Sequence, residues 1–214
     1  SLSSNPDRFN IWLQMLASLL SREENAIESF AVVAFDVAPR WITPPGQWVP
    51  NDAAARASVE TALRETVLEG ATDLGQAVRL LAEAFPSAIG FDTFLLSDAA
   101  ATWGEDDVAT ILAPLRSVTA SSRRIFSYDT GLPGTNRAAL SALAGATGGA
   151  VVPLLGEDQI GRASIAHGQP AFWLDRVEIE GVEDLLIEGR PQTVYDNIEL
   201  RVAGRLDGVA DEAG

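Results

Sequence analysis

Apolar and polar positions along the chain recur with two distinct periods. Phe9, Trp12, Leu13, Leu16, Leu19 and Leu20 return at three- and four-residue intervals, which builds one apolar stripe and predicts a helix over residues 5–20. Asn5 is a good N-cap for it. Pro6 suits the first helical position, where its absent N–H would be unpaired anyway, and Asp7 lies at the positive end of the helix dipole. SFAVVAFD (29–36) is instead a short, nearly continuous apolar run, β-branched at its centre, as in strands buried on both faces. The prolines and glycine of WITPP and GQWVP forbid a long helix there and suggest a short edge strand and a loop.

Further on, Ala55, Val59, Ala62, Leu63 and Val67 mark a helix over 52–68 that Gly70 ends. Thr72 is a plausible N-cap for the next, whose stripe is Leu74, Ala77, Val78, Leu81 and Phe85. After Pro86, FDTFLLS (91–97) reads as a buried strand closed by Asp98, followed by a helix over about 105–115 that contains Pro114. RRIFSY (123–128) is a strand and TGLPGTN a loop. A helix over 136–146 stops at Gly148 and Gly149, and AVVPLL (150–155) is the last strand of the series.

Strands alternating with helices across short loops predict an α/β fold: a mostly parallel, Rossmann-like sheet with helices on both faces. The rhythm changes near residue 156. Beyond it no amphipathic helix is legible. WLDRVEIE (173–180) and YDNIELRVAG (195–204) alternate Val177, Ile179, Ile198, Leu200 and Val202 with charged residues, the period-two pattern of a small antiparallel β appendage. The expected organisation is an α/β domain over residues 1–160 and a β-rich tail over 165–214 that starts a following domain.

Composition narrows the function classes. The 214 residues include no Cys, so disulfide frameworks, thiolate metal sites and Cys nucleophiles are excluded. Net charge is −15, and every basic residue is an Arg, which leaves no electrostatic footprint for nucleic acid or for an anionic membrane surface. No apolar run approaches the roughly 18 residues of a membrane span.

Few residues carry obvious chemistry. The single histidine, His167, lies in a polar loop with no second ligand nearby, and a structural place suits it better than a catalytic one. No G-x-S-x-G elbow is present, and a Walker loop needs a lysine. FDVAP has Ala38 where aspartyl phosphatases carry a second Asp, and GLPG (131–134) needs no anion to explain it. Glu105, Asp106 and Asp107 suit the start of a helix; an acid–base enzyme would use Asp98 with Glu105. A more specific set is formed by oxygen donors expected at the carboxyl ends of the strands, where open α/β sheets bind ligands: Asp98, Thr72, and Ser1, Ser3 and Ser4 ahead of the first helix. Hydroxyls, a carboxylate and waters are what Mg²⁺ accepts, although Ser and Thr before helices serve first as caps.

In that order LEGATDLGQAVRLLAEAF, FDTFLLSDAAATWGE and RRIFSYDTGLPGTNRAALSALAGATGGAVVPL resemble the von Willebrand factor type A (vWA) domain, over residues 3–155. More narrowly they resemble the vWA domains of bacterial proteins related to inter-alpha-trypsin inhibitor heavy chains. The most specific pieces are Thr-Asp-Leu (72–74), Leu-Leu-Ser-Asp (95–98) and Thr-Gly-Gly (147–149). VEIEGVEDLLIEGRPQTVYDNIELRVAGRL resembles the β segment that follows the domain in those proteins.

The resemblance implies a non-enzymatic, adhesion-type interaction module of a larger bacterial protein, cytoplasmic or envelope-associated. Its metal-ion-dependent adhesion site holds Mg²⁺ that a partner's acidic side chain completes. Carried over, the Thr is Thr72 and the last Asp is Asp98, followed by Ala99 where the family usually has Gly. The Asp-x-Ser-x-Ser motif has two possible frames. FDVAP makes Asp36 the ligand, with Ala38 and Arg40 in place of the serines. The order of elements favours SLSS (1–4), with Ser1 and Ser3 in the serine positions and the motif Asp upstream. The metal set is then Ser1, Ser3, Thr72 and Asp98, a truncated or degenerate site at which this chain binds Mg²⁺ weakly or not at all. The alternative is a structural scaffold without metal or ligand. The same frame leaves out the first strand, between 29–36 and 91–97, and a strand of the β tail, from this or a neighbouring molecule, is expected to fill the gap.

Overall fold

The computed structural model describes residues 6–66, 71–85, 90–117, 124–188, 190–191, 193–196 and 198–206. Ser1, Ser3, Ser4, Asn5, Gly70 and Pro86 lie outside the described residues.

Helix α1 spans Pro6–Ser21, α2 Ala53–Glu65, α3 Leu74–Ala84, α4 Val108–Leu112 and α5 Arg137–Thr147. Strands β5 (Thr93–Leu96), β6 (Ile125–Asp129) and β7 (Val151–Pro153) form a parallel sheet in that order, with Thr93 opposite Ile125 and Ser127 opposite Val151. All five residues of β6 are buried, as the centre of a sheet covered on both faces requires. On one face Trp12, Met15 and Leu19 of α1 pack with Phe94, Leu96, Phe126 and Tyr128. On the other, Leu74 and Val78 of α3, Ile111 and Leu112 of α4, and Leu140 and Leu143 of α5 pack with Leu95 and Ile125. The expected two-faced α/β core is present.

SFAVVAFD does not join that sheet. It divides into β1 (Ser29–Phe30), antiparallel to β4 (Val49–Pro50), and β2 (Val33–Phe35), antiparallel to β3 (Pro39–Trp41). Between them the carbonyl of Val32 accepts from both Ile42 and Thr43, and the Val32 N–H donates to Thr43 Oγ1, which breaks the ladder. Phe30 is buried but Val33 to Phe35 are only half-buried, because among the described residues β2 has a strand neighbour on one side alone.

Several termini differ from expectation by a residue or more. Asp73, not Thr72, caps α3: its carboxylate accepts the Gln76 N–H at 2.9 Å and the Gln76 side-chain amide at 2.9 Å. Asp107 caps α4, which is shorter than expected and passes into a 3-10 turn over 113–117, where Pro114 sits. Thr147-Gly148-Gly149 closes α5 and hooks it to the sheet. Thr147 Oγ1 accepts the Ile125 N–H at 2.9 Å while bonding back to Leu143 and Ala144, and Gly148 takes the left-handed C-cap conformation, φ +73°.

The tail departs most from its reading. Residues 157–168 form short helical turns, including α6 (Ile160–Ala163), although no amphipathic helix is legible there. Ala163, Ala166 and His167 enter the core beside α1, and Ser164 bonds Ser18 and Asn25. WLDRVEIE is strand only at its start, in β8 (Ala171–Trp173), which pairs with β10 (Thr193–Tyr195); β9 (Val182–Ile187) pairs with β11 (Val202–Leu206). No tail strand of this chain lies between β2 and β5 among the described residues, so self-filling of the gap is not observed. The tail strands satisfy their backbone within local antiparallel pairs, without threading a strand between packed helices.

Candidate functional site at the carboxyl ends of the strands

The ends of β2 and β5 are linked through the turn that starts α3. The Asp73 N–H donates to the Asp36 carbonyl at 2.7 Å, joining the end of β2 to the start of α3. The Thr72 carbonyl accepts from Thr102 and Trp103, and the Thr72 N–H donates to Thr102 Oγ1 at 2.9 Å, joining the same turn to the loop after β5. That loop starts at Asp98, whose carbonyl accepts the Asn136 N–H and so ties in the start of α5. Thr72 and Asp98 are therefore brought to one edge, as the crossover topology requires.

The carboxylates at this edge are largely occupied in shaping loops. Asp36 is buried, with Oδ1 accepting from the Ala38 N–H and Oδ2 3.6 Å from Arg40. Asp73 holds the start of α3. Asp98 Oδ1 accepts the Ala100 N–H at 3.1 Å, and Glu105 Oε1 the Asp107 N–H at 2.9 Å, so both members of the acid–base pair brace backbone. The Thr110 hydroxyl and N–H donate to Asp107 and hold its carboxyl below the usual range. Ala99 is fully buried at φ +49°, the left-handed conformation that glycine adopts freely, so the loop keeps that shape at a strain of about 1–2 kcal/mol.

Among the described residues no group of three or more His, Asp or Glu could hold a metal ion. Of the expected metal set, Thr72 and Asp98 are described, and Asp98 shares with Asp36 and Asp73 the engagement of its carboxylate in local structure. Ser1 and Ser3 fall outside the described residues.

A feature without any motif is the exposed Trp103. Its indole is 61 % accessible, yet its backbone is fixed to Thr72, and Gly104 (φ +74°) follows so closely that a Cβ there would lie 2.7 Å from Asp73 Cγ. The exposed indole thus sits on a loop whose backbone is tied to the start of α3. The sequence signal for it was a Trp-Gly in a polar loop.

At the opposite end of β5 lies a half-buried polar cluster. Arg124 grips Asp92 through Nε (2.8 Å) and Nη2 (2.6 Å), stacks over Phe126 at 5.2 Å, and donates to the Tyr195 hydroxyl at 3.4 Å. Asp92 raises the Arg124 pKa, and burial raises those of Tyr195 and Tyr128. Beside the cluster His167 lies edge-on to Phe94 at 4.9 Å, and burial lowers its pKa from 6.5. Unfolding frees His167 to bind a proton, so stability is full above pH 6.5 and falls as pH drops below it toward the folded-state value. Urea unfolding should therefore show a loss between pH 7 and 5.5 of at most about 1.4 kcal/mol per unit. A His167→Gln chain should lack it, and an equal slope in both would assign the effect elsewhere.

This three-layer α/β core, with its loop cluster beyond the strand ends, defines an open-sheet fold of the Rossmann-like class. No family model and no curated protein matches the chain. Among solved structures it is similar to a von Willebrand factor type A protein from Catenulispora acidiphila, with TM-score 0.59 and 17% identity over 87% of this chain and 46% of that one. It is also similar to proximal thread matrix protein 1 of the mussel byssus, with TM-score 0.54 and 12% identity over 79% of this chain and 45% of that one. The fold is vWA-like. The chain spans just under half the length of the structures it matches.

Proposed function

We propose that the chain is a non-enzymatic protein-interaction module of the vWA type, from a larger bacterial protein related to inter-alpha-trypsin inhibitor heavy chains. The vWA-like fold supports the interaction reading, and the motifs at 72–74, 95–98 and 147–149 support the narrower kinship. The observation that carries it is Trp103, an exposed indole on a backbone tied to Thr72 in the strand-end loops. Large aromatic side chains on pre-organised loops are the usual anchors of interfaces. Random peptides displayed on phage and selected on the immobilised chain should yield binders that lose at least about tenfold in affinity for Trp103→Ala, roughly 1.4 kcal/mol. Binders indifferent to that change, or none at all, would contradict the reading.

In this reading the metal-ion-dependent adhesion site is degenerate in the chain as given. Calorimetric titration should show no saturable Mg²⁺ binding tighter than about 1 mM. Micromolar binding that disappears in Asp98→Ala would restore Mg²⁺ as the link to a partner's acidic side chain.

A further inference from the structure

His167 is the one histidine of the chain, and the turn that carries it, Ala166–Gly168, leads directly into β8, where the tail leaves the α/β core. The ring is 6% exposed and lies edge-on to Phe94 at 4.9 Å and to Phe126 at 6.0 Å. The Arg124 guanidinium stands over that same Phe126 ring at 5.2 Å, so a proton on His167 would bring a second cation into one aromatic site. An imidazolium also carries a donor on each nitrogen, whereas Nδ1 here has no hydrogen-bond partner among the described residues. The other groups around the ring come from four elements. The Asp92 carboxylate, ahead of β5, is gripped by Arg124 through both oxygens. The turn after α1 brings the Asn25 backbone, and β10 brings the Tyr195 hydroxyl to Arg124. From α1 come Trp12, Met15 and Leu19, none of them ionisable. Burial and Arg124 hold the ring neutral, with Asp92 and Asn25 acting the other way.

The segment that holds His167 can leave the core without breaking the parallel sheet. Its backbone bonds are local: the Ser164 N–H donates to Ile160, that of Gly168 to Ile165 and that of Gln169 to Ala166. Side chains tie it to the core, through Ser18 to the Ser164 hydroxyl (3.0 Å), the Asn25 amide to the Ser164 carbonyl (3.1 Å) and the Tyr128 hydroxyl to the Ala163 carbonyl (3.4 Å). Buried Ala163, Ala166 and His167 complete the attachment. β8, which follows, is exposed at all three residues and pairs, among the described residues, with β10 alone. Segments with few long-range backbone bonds open before the core sheet does.

We propose that His167 is a pH-sensitive latch between the α/β core and the β tail: the neutral ring holds the turns at 157–168 against α1 and the sheet, and acidification releases them together with β8 while the parallel sheet stays folded. The closed form has no place for the proton, so the proton is taken up on release. Closure is therefore at full strength above pH 6.5 and weakens as pH falls below it. The latch involves none of the Trp103 contacts and stands apart from the loop-surface reading.

The test is hydrogen exchange on the 214-residue chain at pH 7.5 and 5.5, read as protection factors so that the pH dependence of intrinsic exchange cancels. Protection over 160–168 and 171–173 should lie below that of 125–129 at both pH values, the mark of an opening that leaves the sheet intact. Between the two it should fall about tenfold, the factor set by a proton gained at the ordinary histidine pKa on release. In His167→Gln the fall should shrink to less than about twofold. An equal fall in the variant overturns the proposal. So does protection over 160–173 that matches 125–129 at both pH values, because the tail would then open only with the whole domain. A check that needs no variant is the NMR titration of the Cε1 proton of the one histidine. A midpoint below 6.5 is expected; one at 6.5 or above would mean that the ring gains its proton in place, and also overturns the latch.

Discussion

Gly149→Ala is expected to unfold most of the population at room temperature or to lower the melting point by well over 10 °C. A Cβ at residue 149 would collide with the carbonyl oxygen of Ile125 and lie 2.6 Å from its carbon and 2.9 Å from its nitrogen. The obstacle is backbone in β6, held by β5 on one side and β7 on the other, so no flexible side chain can swing aside. Relief means parting α5 from the sheet and giving up the Thr147 bond to Ile125. We expect a loss of more than about 4 kcal/mol, from a total that for such domains is about 5–15 kcal/mol. Gly134→Ala is the control. Gly134 also has positive φ, +87°, but nothing lies within 4 Å of its Cβ position, and a loss of only about 1 kcal/mol is expected. Thermal melts of the two variants decide it: a Gly149→Ala midpoint within a few degrees of the Gly134→Ala midpoint would mean that the close approach is not a real constraint.

The second large effect is expected at Tyr195, which joins the β tail to the core. It is 4% exposed and packs edge-on to Phe126 at 5.3 Å. Its hydroxyl donates to the Gly148 carbonyl at 2.6 Å and accepts from Arg124. Tyr195→Ala removes a buried ring, worth about 3–5 kcal/mol by analogy with Phe→Ala substitutions. It also leaves the Gly148 carbonyl and the Arg124 guanidinium each one partner short. Tyr195→Phe keeps the ring and should cost about 1–2 kcal/mol. Beyond the global loss, hydrogen exchange at 171–173 and 193–195 should accelerate selectively in Tyr195→Ala, because among the described residues β8 is paired only with β10. Unchanged protection of β8 in that variant would show the tail to be held some other way.

The vWA-like fold was legible because its strongest elements are locally consistent. The stripe of α1, the apolar runs of β5 and β6 and the Gly148-Gly149 stop of α5 each follow from short-range rules that the packing reinforces. The candidate site was legible only in part. Thr72 and Asp98 come to one edge because parallel strands joined by crossovers put their carboxyl ends there, but Asp73 takes the capping role expected of Thr72. That choice depends on a carboxylate reaching both the N–H and the side chain of Gln76. Trp103 carries no motif, and its exposure is a property of the fixed loop.

Local patterning along the chain thus determined where helices and buried strands form and that they alternate into a two-faced sheet. Only the tertiary structure decided what those strands pair with. SFAVVAFD reads as one buried strand because apolar runs report burial, yet pairing is set by which edges meet, and the edge that meets β2 is Pro39–Trp41. The helical turns of 157–168 are too short to show a period and exist because α1 offers them a surface. The burial of Tyr195 and His167 arises from contacts between residues far apart in the chain. No window of sequence contains both partners of such a contact.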